Sequence, residues 1–178
     1  MAQGDTGKAG RYAEGVRCYF LRHGIAAEPD AWTGSDYDRP LTREGRERMA
    51  REARAIGELG FDFELIVTSP LVRARETAEI LADRLAMRDR VVQDPRLGGG
   101  FNQERLAAML GERPTVQSIV LVGHEPTMSA TIGRVIGNAS IELKKAALAG
   151  IELFDPSAPH GTLICLIPPR VLAALGKR

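Results

Sequence analysis

Short apolar runs alternate with helical stretches along most of this chain. The predicted strands, rich in strand-forming residues, cover residues 16–21, 65–68, 91–92 and 119–122. The helices predicted after them cover residues 42–59, 70–85, 103–110 and 126–136. Two more runs, 147–154 and 162–167, flank a turn-rich segment and predict a hairpin with one antiparallel strand. This alternation predicts a three-layer α/β/α sandwich with a mostly parallel central sheet.

Two of these helices have clear start signals. Thr42 is predicted to cap the first helix, with Glu44 in its first turn. Ser69 is predicted to cap the second, because Pro70 follows it and proline favours the first helical position. Arg73 then lies in the first turn, where free N–H groups and the helix dipole favour a bound anion.

Length and charge limit the class of protein. We expect a single domain over residues 16–178, preceded by a flexible leader over residues 1–15. The net charge of +1 gives no attraction for nucleic acid or a membrane surface, and no apolar run could span a bilayer. Cys18 and Cys165 lie in apolar runs and are expected to be reduced core thiols. We therefore expect a cytoplasmic protein without nucleic-acid or membrane partners.

Two of the three histidines follow predicted strands, and so do two arginines. Arg22 and His23 come after the first strand, Arg73 after the second and His124 after the fourth. Ligands of open α/β sheets bind outside the carboxyl ends of the strands. These four side chains are therefore expected to converge in one crevice.

The residue types suit the transfer of a phosphoryl group. Arg22 and Arg73 can bind phosphate oxygens in pairs of hydrogen bonds and neutralise the charge that repels a nucleophile. A neutral imidazole can then attack phosphorus, provided that its other nitrogen donates its hydrogen to an acceptor such as a backbone carbonyl. A protonated second histidine would stabilise charge in the transition state. The predicted catalytic and phosphate-binding residues are Arg22, His23, Arg73 and His124.

Other phosphatase chemistries find no support in the sequence. Cysteine phosphatases need an arginine six positions after the cysteine, and neither Cys18 nor Cys165 has one. Asp36 and Asp38 do not directly follow an apolar strand, as the acidic pair of aspartate phosphatases does. Strand ends carry too few ligands for a two-metal site, and residues 4–8 lack the P-loop spacing. We therefore expect neither a metal nor a cofactor.

Three motifs resemble those of the histidine phosphatase superfamily, which includes the cofactor-dependent phosphoglycerate mutases. They are Arg-His-Gly at 22–24, Ser-Pro-Leu-Val-Arg-Ala at 69–74 and Gly-His-Glu at 123–125. The resemblance covers about residues 16–168, nearly the whole chain beyond the leader. It implies a phosphoglycerate mutase-like fold.

The resemblance also assigns roles within the pocket. It implies that His23 is the phosphorylated nucleophile and that Arg22, Arg73 and His124 complete the phosphate site. Within the superfamily the chain is most similar to the small SixA-type phosphohistidine phosphatases. The similarity rests on the short chain, on Arg-Pro-Leu-Thr at 39–42 and on Lys-Lys-Ala-Ala at 144–147.

A dedicated proton donor is not evident. Mutases and sugar-phosphate phosphatases of this superfamily usually carry a long insertion that supplies a lid and a glutamate that acts as general acid. Residues 80–118 of this chain predict only a short strand, a loop and one helix, so no full lid is expected. The candidate donors are Glu125, Glu28, Asp36 and Asp38. Cleavage of a P–N bond releases an imidazole, a better leaving group than an alkoxide, and so depends less on an acid.

The predicted function is metal-independent hydrolysis of phosphohistidine on proteins, such as a phosphotransfer domain in signal transduction. It proceeds through a covalent phosphohistidine on the enzyme. An open pocket would admit a phosphorylated side chain on the surface of a folded partner. Two alternatives stay open: a small-molecule phosphomonoesterase acting on a sugar or metabolite phosphate at the same site, and a non-catalytic phosphate-binding module. The intact His23 argues against the module.

Overall fold

A computed structural model describes residues 15–177 of the chain, so residues 1–14 of the predicted leader lie outside the described part. The strands are β1 (Val16–Arg22), β2 (Leu65–Thr68), β3 (Val91–Gln93), β4 (Ser118–Gly123), β5 (Leu148–Leu153) and β6 (Gly161–Ile167). The helices are α1 (Arg43–Glu58), α2 (Val72–Leu85), α3 (Gln103–Gly111), α4 (Thr127–Val135) and α5 (Pro169–Leu175).

All six strands belong to one sheet in the order β3-β2-β4-β1-β5-β6. The first four strands in this order pair in parallel. Strand β5 is antiparallel to both of its neighbours, so β6 again points the same way as β1. The predicted mostly parallel α/β sheet with a single antiparallel strand is confirmed.

Strand β1 is buried on both faces, which explains its continuous apolar run. Phe20 packs on the face covered by α3 and α4, whereas Tyr19 and Leu21 pack on the face covered by α1, α2 and α5. The three layers predicted from the sequence are therefore present. Cys18 is buried, Cys165 is half-buried, and both are free thiols.

The start of α1 matches its prediction, and the start of α2 does not. The Thr42 hydroxyl accepts the N–H of Gly45 at 2.9 Å, as expected of a cap. Helix α2 begins at Val72 instead of Pro70, so the prediction that Ser69 caps it is wrong. The Ser69 hydroxyl accepts the N–H of Leu71 at 3.3 Å within the turn before the helix. That turn leaves Ser69 at the end of the strand, where its side chain can serve the site instead.

Two smaller differences concern the later helices. Helix α4 begins at Thr127, one residue after the predicted start, with Pro126 at the capping position. Helix α5 was not predicted, because seven residues are too few to show a helical period. It is held by Leu172, which is fully buried in the core that α1 also lines. No helix within residues 15–177 has both the length and the apolar character needed to cross a membrane.

The loop between β1 and α1 folds back over the carboxyl edge of the sheet. Ala26 forms an isolated bridge with Leu41, and the N–H of Thr42 donates to the carbonyl oxygen of Ile25 at 3.0 Å. A Cβ at Gly45 would collide with that same carbonyl oxygen, so glycine is required for the close approach. This closure brings residues 36–39 above the ends of the parallel strands.

Candidate active site

The two strand-end histidines meet at the carboxyl edge of the sheet. Strands β1 and β4 pair in parallel with Arg22 opposite Gly123, so His23 and His124 leave the sheet side by side. Their ring centroids are 5.1 Å apart, with an interplanar angle of 51°. The backbone N–H of His23 donates to the carbonyl oxygen of Gly123 at 3.1 Å, which holds the two turns together. The convergence of these two rings is as predicted from the sequence.

His23 has the geometry of a nitrogen nucleophile. Its Nδ1 lies 2.8 Å from the carbonyl oxygen of Gly24, which can only accept a hydrogen. Nδ1 therefore carries the ring hydrogen, and Nε2 keeps its lone pair. Burial is the main cause that lowers the pKa of His23 to about 3, and nearby positive groups add to it. The ring is thus neutral at physiological pH.

His124 is also buried and neutral in the free protein. Its Nε2 lies 2.8 Å from the Ser69 hydroxyl, whereas its Nδ1 is buried and has no hydrogen-bond partner. Burial, followed by the nearby charge of Arg73, lowers the pKa of His124 to about 4. The sequence led us to consider a protonated ring, which this environment disfavours. When the Ser69 hydroxyl donates to Nε2, Nδ1 carries hydrogen and becomes a free donor for a ligand.

Arg73 lies in the first turn of α2 and is only 6% exposed. Its Nη1 donates to the carbonyl oxygen of Asp36 at 2.7 Å, and its Nη2 lies 3.0 Å from the Asp36 carboxylate. Burial lowers the pKa of Arg73, and Asp36 opposes that shift. Arg75 lies on another side of the helix, half-exposed and 3.7 Å from Glu79. The later start of α2 therefore leaves the predicted orientation of Arg73 intact.

Arg22 approaches the site from β1. Its Nη1 donates to the carbonyl oxygen of Leu143 at 3.0 Å, which ties it to the segment before β5. Burial lowers the pKa of Arg22, while the charges of Glu125 and Glu142 raise it. Arg22 is thus held in place on one side and keeps its Nε for another acceptor.

Unpartnered polar atoms are concentrated in this cluster. Within residues 15–177, five buried side-chain nitrogen or oxygen atoms lack a hydrogen-bond partner. Three of them are Arg22 Nε, Arg73 Nε and His124 Nδ1. Buried donors without acceptors are costly, so they are expected where a ligand supplies the acceptors. A tetrahedral oxyanion presents several acceptor oxygens and suits such a set of donors.

The four candidate proton donors differ in position. Asp36 contacts Arg73 in the pocket. Burial raises the pKa of Asp36, but hydrogen bonds from Arg39 and Arg73 outweigh that effect and keep the pKa below its usual range. It is therefore a carboxylate and a poor acid. Glu125 is half-buried near Arg22, with an oxygen that accepts the N–H of Ser129 at 3.3 Å.

The other two candidates lie at the surface. Glu28 is exposed and lies 3.8 Å from the ammonium group of Lys145. Asp38 is exposed, and within residues 15–177 its side chain makes no hydrogen bond or ion pair. Neither carboxylate is bonded to the histidines or arginines of the pocket. The structure thus brings Asp36 and Glu125 to the site and leaves Glu28 and Asp38 outside it.

Three further residues shape the site, although none of them was assigned a role in the pocket from the sequence. The Arg39 side chain is 11% exposed, and its Nε donates to the Asp36 carboxylate at 2.8 Å. The Thr77 hydroxyl accepts the N–H of Gly24 at 3.0 Å and donates to the carbonyl oxygen of Arg73 at 2.7 Å. The third is Ser69, beside His124. The Arg-Pro-Leu-Thr segment at 39–42 could have indicated a role for Arg39 in the site. For Thr77 the sequence offers only its spacing along the helix.

The described residues offer no evident metal site. Within residues 15–177, no three histidine, cysteine, aspartate or glutamate side chains are grouped so that they could hold an ion. Positive charge at the site comes from Arg22, Arg73 and Arg39. Such an arrangement can bind a dianionic phosphoryl group and place it beside a neutral imidazole.

Sequence comparisons place the chain among known proteins. A family model described as the histidine phosphatase superfamily (branch 1) matches residues 18–98. An uncharacterized protein of Picosynechococcus sp. is 37% identical over 141 residues, which cover 77% of this chain and 85% of that protein. The chain belongs to the histidine phosphatase superfamily. This superfamily is a group of mostly metal-independent phosphatases and mutases.

Solved structures of the superfamily share the fold. The protein histidine phosphatase SixA in complex with tungstate superposes with a TM-score of 0.77 at 23% identity, covering 87% of this chain and 98% of that one. A putative phosphohistidine phosphatase SixA from Agrobacterium tumefaciens gives a TM-score of 0.71 at 26% identity, covering 86% and 99%. The predicted resemblance to SixA proteins is confirmed at the level of fold and extent.

The two pocket histidines are expected to remain neutral from pH 8 down to about pH 5, because burial places their pKa values at about 3 and about 4. Ring C–H chemical shifts of His23 and His124, followed by NMR in phosphate-free buffer, should stay flat over this range. A histidine peptide in the same tube serves as the reference, with its titration midpoint at about pH 6.5. A midpoint near that of the reference for either ring would contradict the assignment of neutral histidines.

Proposed function

We propose that this chain hydrolyses phosphohistidine on proteins through a covalent phosphohistidine at His23. The observation that carries the proposal is the neutral His23 ring, with Nε2 free beside three unpartnered donors. Although burial raises it, the pKa of Asp36, the carboxyl group that is bonded to Arg73, is lowered overall by hydrogen bonds from Arg39 and Arg73. Asp36 is therefore a poor proton donor, which favours a substrate with an easily displaced leaving group. The resemblance to SixA proteins is in keeping with this substrate class.

In the proposed first step the phosphoryl group binds between Arg22, Arg73 and the Nδ1 of His124. His23 Nε2 attacks phosphorus while the bond from phosphorus to the imidazole nitrogen of the substrate breaks. The released imidazole takes a proton from solvent. In the second step water attacks phosphorus, inorganic phosphate leaves, and His23 is restored. The hydrogen bond from Nδ1 to the Gly24 carbonyl supports the positive charge that His23 carries when phosphorylated.

Asp36 has a defined part in this cycle. Its carboxylate is held by Arg73 and Arg39 in the free protein, where it offers the guanidinium groups an anionic partner. An arriving phosphoryl group carries more negative charge and three acceptor oxygens, so it competes for the same donors. We therefore propose that Asp36 yields Arg73 to the substrate rather than donating a proton to it.

Rates should depend steeply on the leaving group. Without a placed acid, little proton transfer offsets a poor leaving group, so phosphohistidine, phosphoramidate and aryl phosphates should react readily and alkyl phosphates poorly. The measurement is steady-state turnover across a series of aryl and alkyl phosphates, plotted as log rate against leaving-group pKa. Each assay is repeated with EDTA, and no loss is expected because the arginines supply the positive charge.

Glu125→Gln is the matched control for this series, since Glu125 is the half-buried carboxylate next to His124. The substitution should leave the slope unchanged. A flat plot for the unaltered protein that becomes steep in Glu125→Gln would instead identify Glu125 as a general acid. The protein would then be better described as a phosphomonoesterase for small metabolites.

A further inference from the structure

We propose that a groove next to the phosphate pocket binds an acidic segment of the phosphohistidine-bearing protein. The inference rests on the proposed function and extends it from the reacting group to the partner that carries it. The groove lies between the segment at 142–147 and the end of β6, where α5 begins, and it has a volume of about 450 Å³.

The groove is continuous with the catalytic machinery through one chain segment. The carbonyl oxygens of Leu143 and Ala147 accept hydrogen bonds from the side chain and the backbone of Arg22, at 3.0 and 3.2 Å. The N–H of Ala146 lies 3.1 Å from the carbonyl oxygen of His23. Residues of this same segment also line the groove. Strand β6 points the same way as β1 and lies two strands from it, so the groove opens at the same edge of the sheet as His23.

Part of the groove is apolar and partly open to solvent. Its apolar lining is formed by Ala147, Leu166, Pro168 and Pro169, and Leu166 is 37% exposed. Pro169 is buried in the first turn of α5, whereas Pro168 is half-buried after the edge strand and presents a fixed surface that loses little entropy when it is covered. Such a surface suits apolar side chains of a partner, and inorganic phosphate alone would gain nothing from it.

The remaining lining is mainly basic. Arg48, Lys144 and Arg170 face one acidic residue, Glu142. Within residues 15–177 Arg170 has no ion pair, and Lys144 is 3.7 Å from Glu142 with both side chains well exposed. Exposed pairs of this kind are weak, so Lys144 stays available to a partner.

Arg48 is the most constrained of the three cations. Its Nε lies 3.0 Å from the carboxylate of Glu52, which is fully buried. Burial is the main cause that raises the pKa of Glu52 to about 7. Even with Glu52 and Glu142 both ionised, the three cations outnumber the two carboxylates, so the groove keeps a net positive charge. A segment that mixes acidic and apolar side chains complements both parts of its lining.

The test uses two short peptides, and each of them carries the same non-hydrolysable mimic of phosphohistidine. One peptide carries aspartate, glutamate and leucine beside the mimic, and the other replaces the acids by asparagine and glutamine. Binding is measured by fluorescence anisotropy at low and high salt. The unaltered protein should bind the acidic peptide about tenfold more tightly at low salt, and the difference should shrink at high salt.

Arg170→Glu should remove the preference for the acidic peptide and leave the neutral peptide's affinity unchanged, with Arg170→Gln intermediate. Arg134→Glu is the matched control, because Arg134 is exposed at the far end of α4 and has no ion pair within residues 15–177. Equal binding of both peptides by the unaltered protein would overturn the proposal. So would equal loss in Arg170→Glu and Arg134→Glu.

A second copy of the chain is the competing occupant. If analytical ultracentrifugation shows that the unaltered protein is a dimer and that Arg170→Glu is a monomer, the groove is a dimer interface and the proposal is wrong. Failure of the proposed function has a separate signature, in which the chain hydrolyses aryl phosphates but not a hydrolysable phosphohistidine peptide. The anisotropy measurement still decides whether the groove prefers the acidic segment in that case.

Discussion

His23→Ala is expected to lower turnover by at least about 10⁴-fold, the scale on which loss of a catalytic nucleophile acts. The reason is that His23 Nε2 is the one imidazole nitrogen of the pocket with a fixed free lone pair, set by the bond from Nδ1 to the Gly24 carbonyl. The measurement is steady-state hydrolysis of an aryl phosphate. A brief reaction with labelled substrate, stopped in alkali, should leave acid-labile phosphate on His23 in the unaltered protein and none in His23→Ala.

His160→Ala is the matched control, because His160 is the third histidine and lies exposed on the loop before β6. It should retain full turnover and full labelling. Circular dichroism and the melting temperature separate lost chemistry from lost folding in His23→Ala. Appreciable turnover in a folded His23→Ala protein would remove the covalent mechanism.

Arg73→Ala is expected to reduce kcat/KM by about 10²- to 10³-fold, which corresponds to about 3–4 kcal/mol for one preorganised donor to a transition state. Arg73 is buried beside the histidines, and its Nε lacks a partner until a ligand supplies one. Arg73→Lys should recover only part of the activity, because an ammonium group cannot make two parallel hydrogen bonds to phosphate.

Arg75→Ala is the comparison that isolates this effect. Arg75 has the same charge on the same helix, but its half-exposed side chain pairs with Glu79. We expect its kcat/KM to change by less than about threefold, because exposed pairs contribute little. Since Arg73 also holds Asp36, the melting temperature of each variant is recorded alongside the kinetics. Equal losses from both substitutions would mean that general charge, not the placement of Arg73, is responsible.

Much of the fold could be predicted because its signals are local. The strands are continuous apolar runs, which the burial of β1 on both faces explains, and Thr42 caps α1 as its sequence context indicates. The start of α2 was missed because the local rule for a cap competed with a distant contact. Ser69 lies 2.8 Å from His124, fifty-five positions away along the chain, and such a contact leaves no trace in the residues around it.

The candidate site likewise combines features that local sequence predicts with features that depend on distant contacts. The convergence of the candidate residues at one edge was predictable because strand ends of a parallel sheet share that edge, whatever the lengths of the loops between them. The bond between Asp36 and Arg73 was not, because it depends on how the loop after β1 folds back. The neutral state of His124 also required the structure, since burial and the charge of Arg73 determine it.

The Thr77 hydroxyl links the turn after the nucleophile to the first turn of α2, through Gly24 and the carbonyl oxygen of Arg73. Because of this link, the backbone spacing between the turn after His23 and the first turn of α2 is set by the scaffold. The loops around the pocket contact only the ends of the side chains, as Asp36 contacts the Arg73 guanidinium, so they can change in length without moving these backbone positions. The same fold can thereby acquire new substrates during evolution while its reacting groups stay in place.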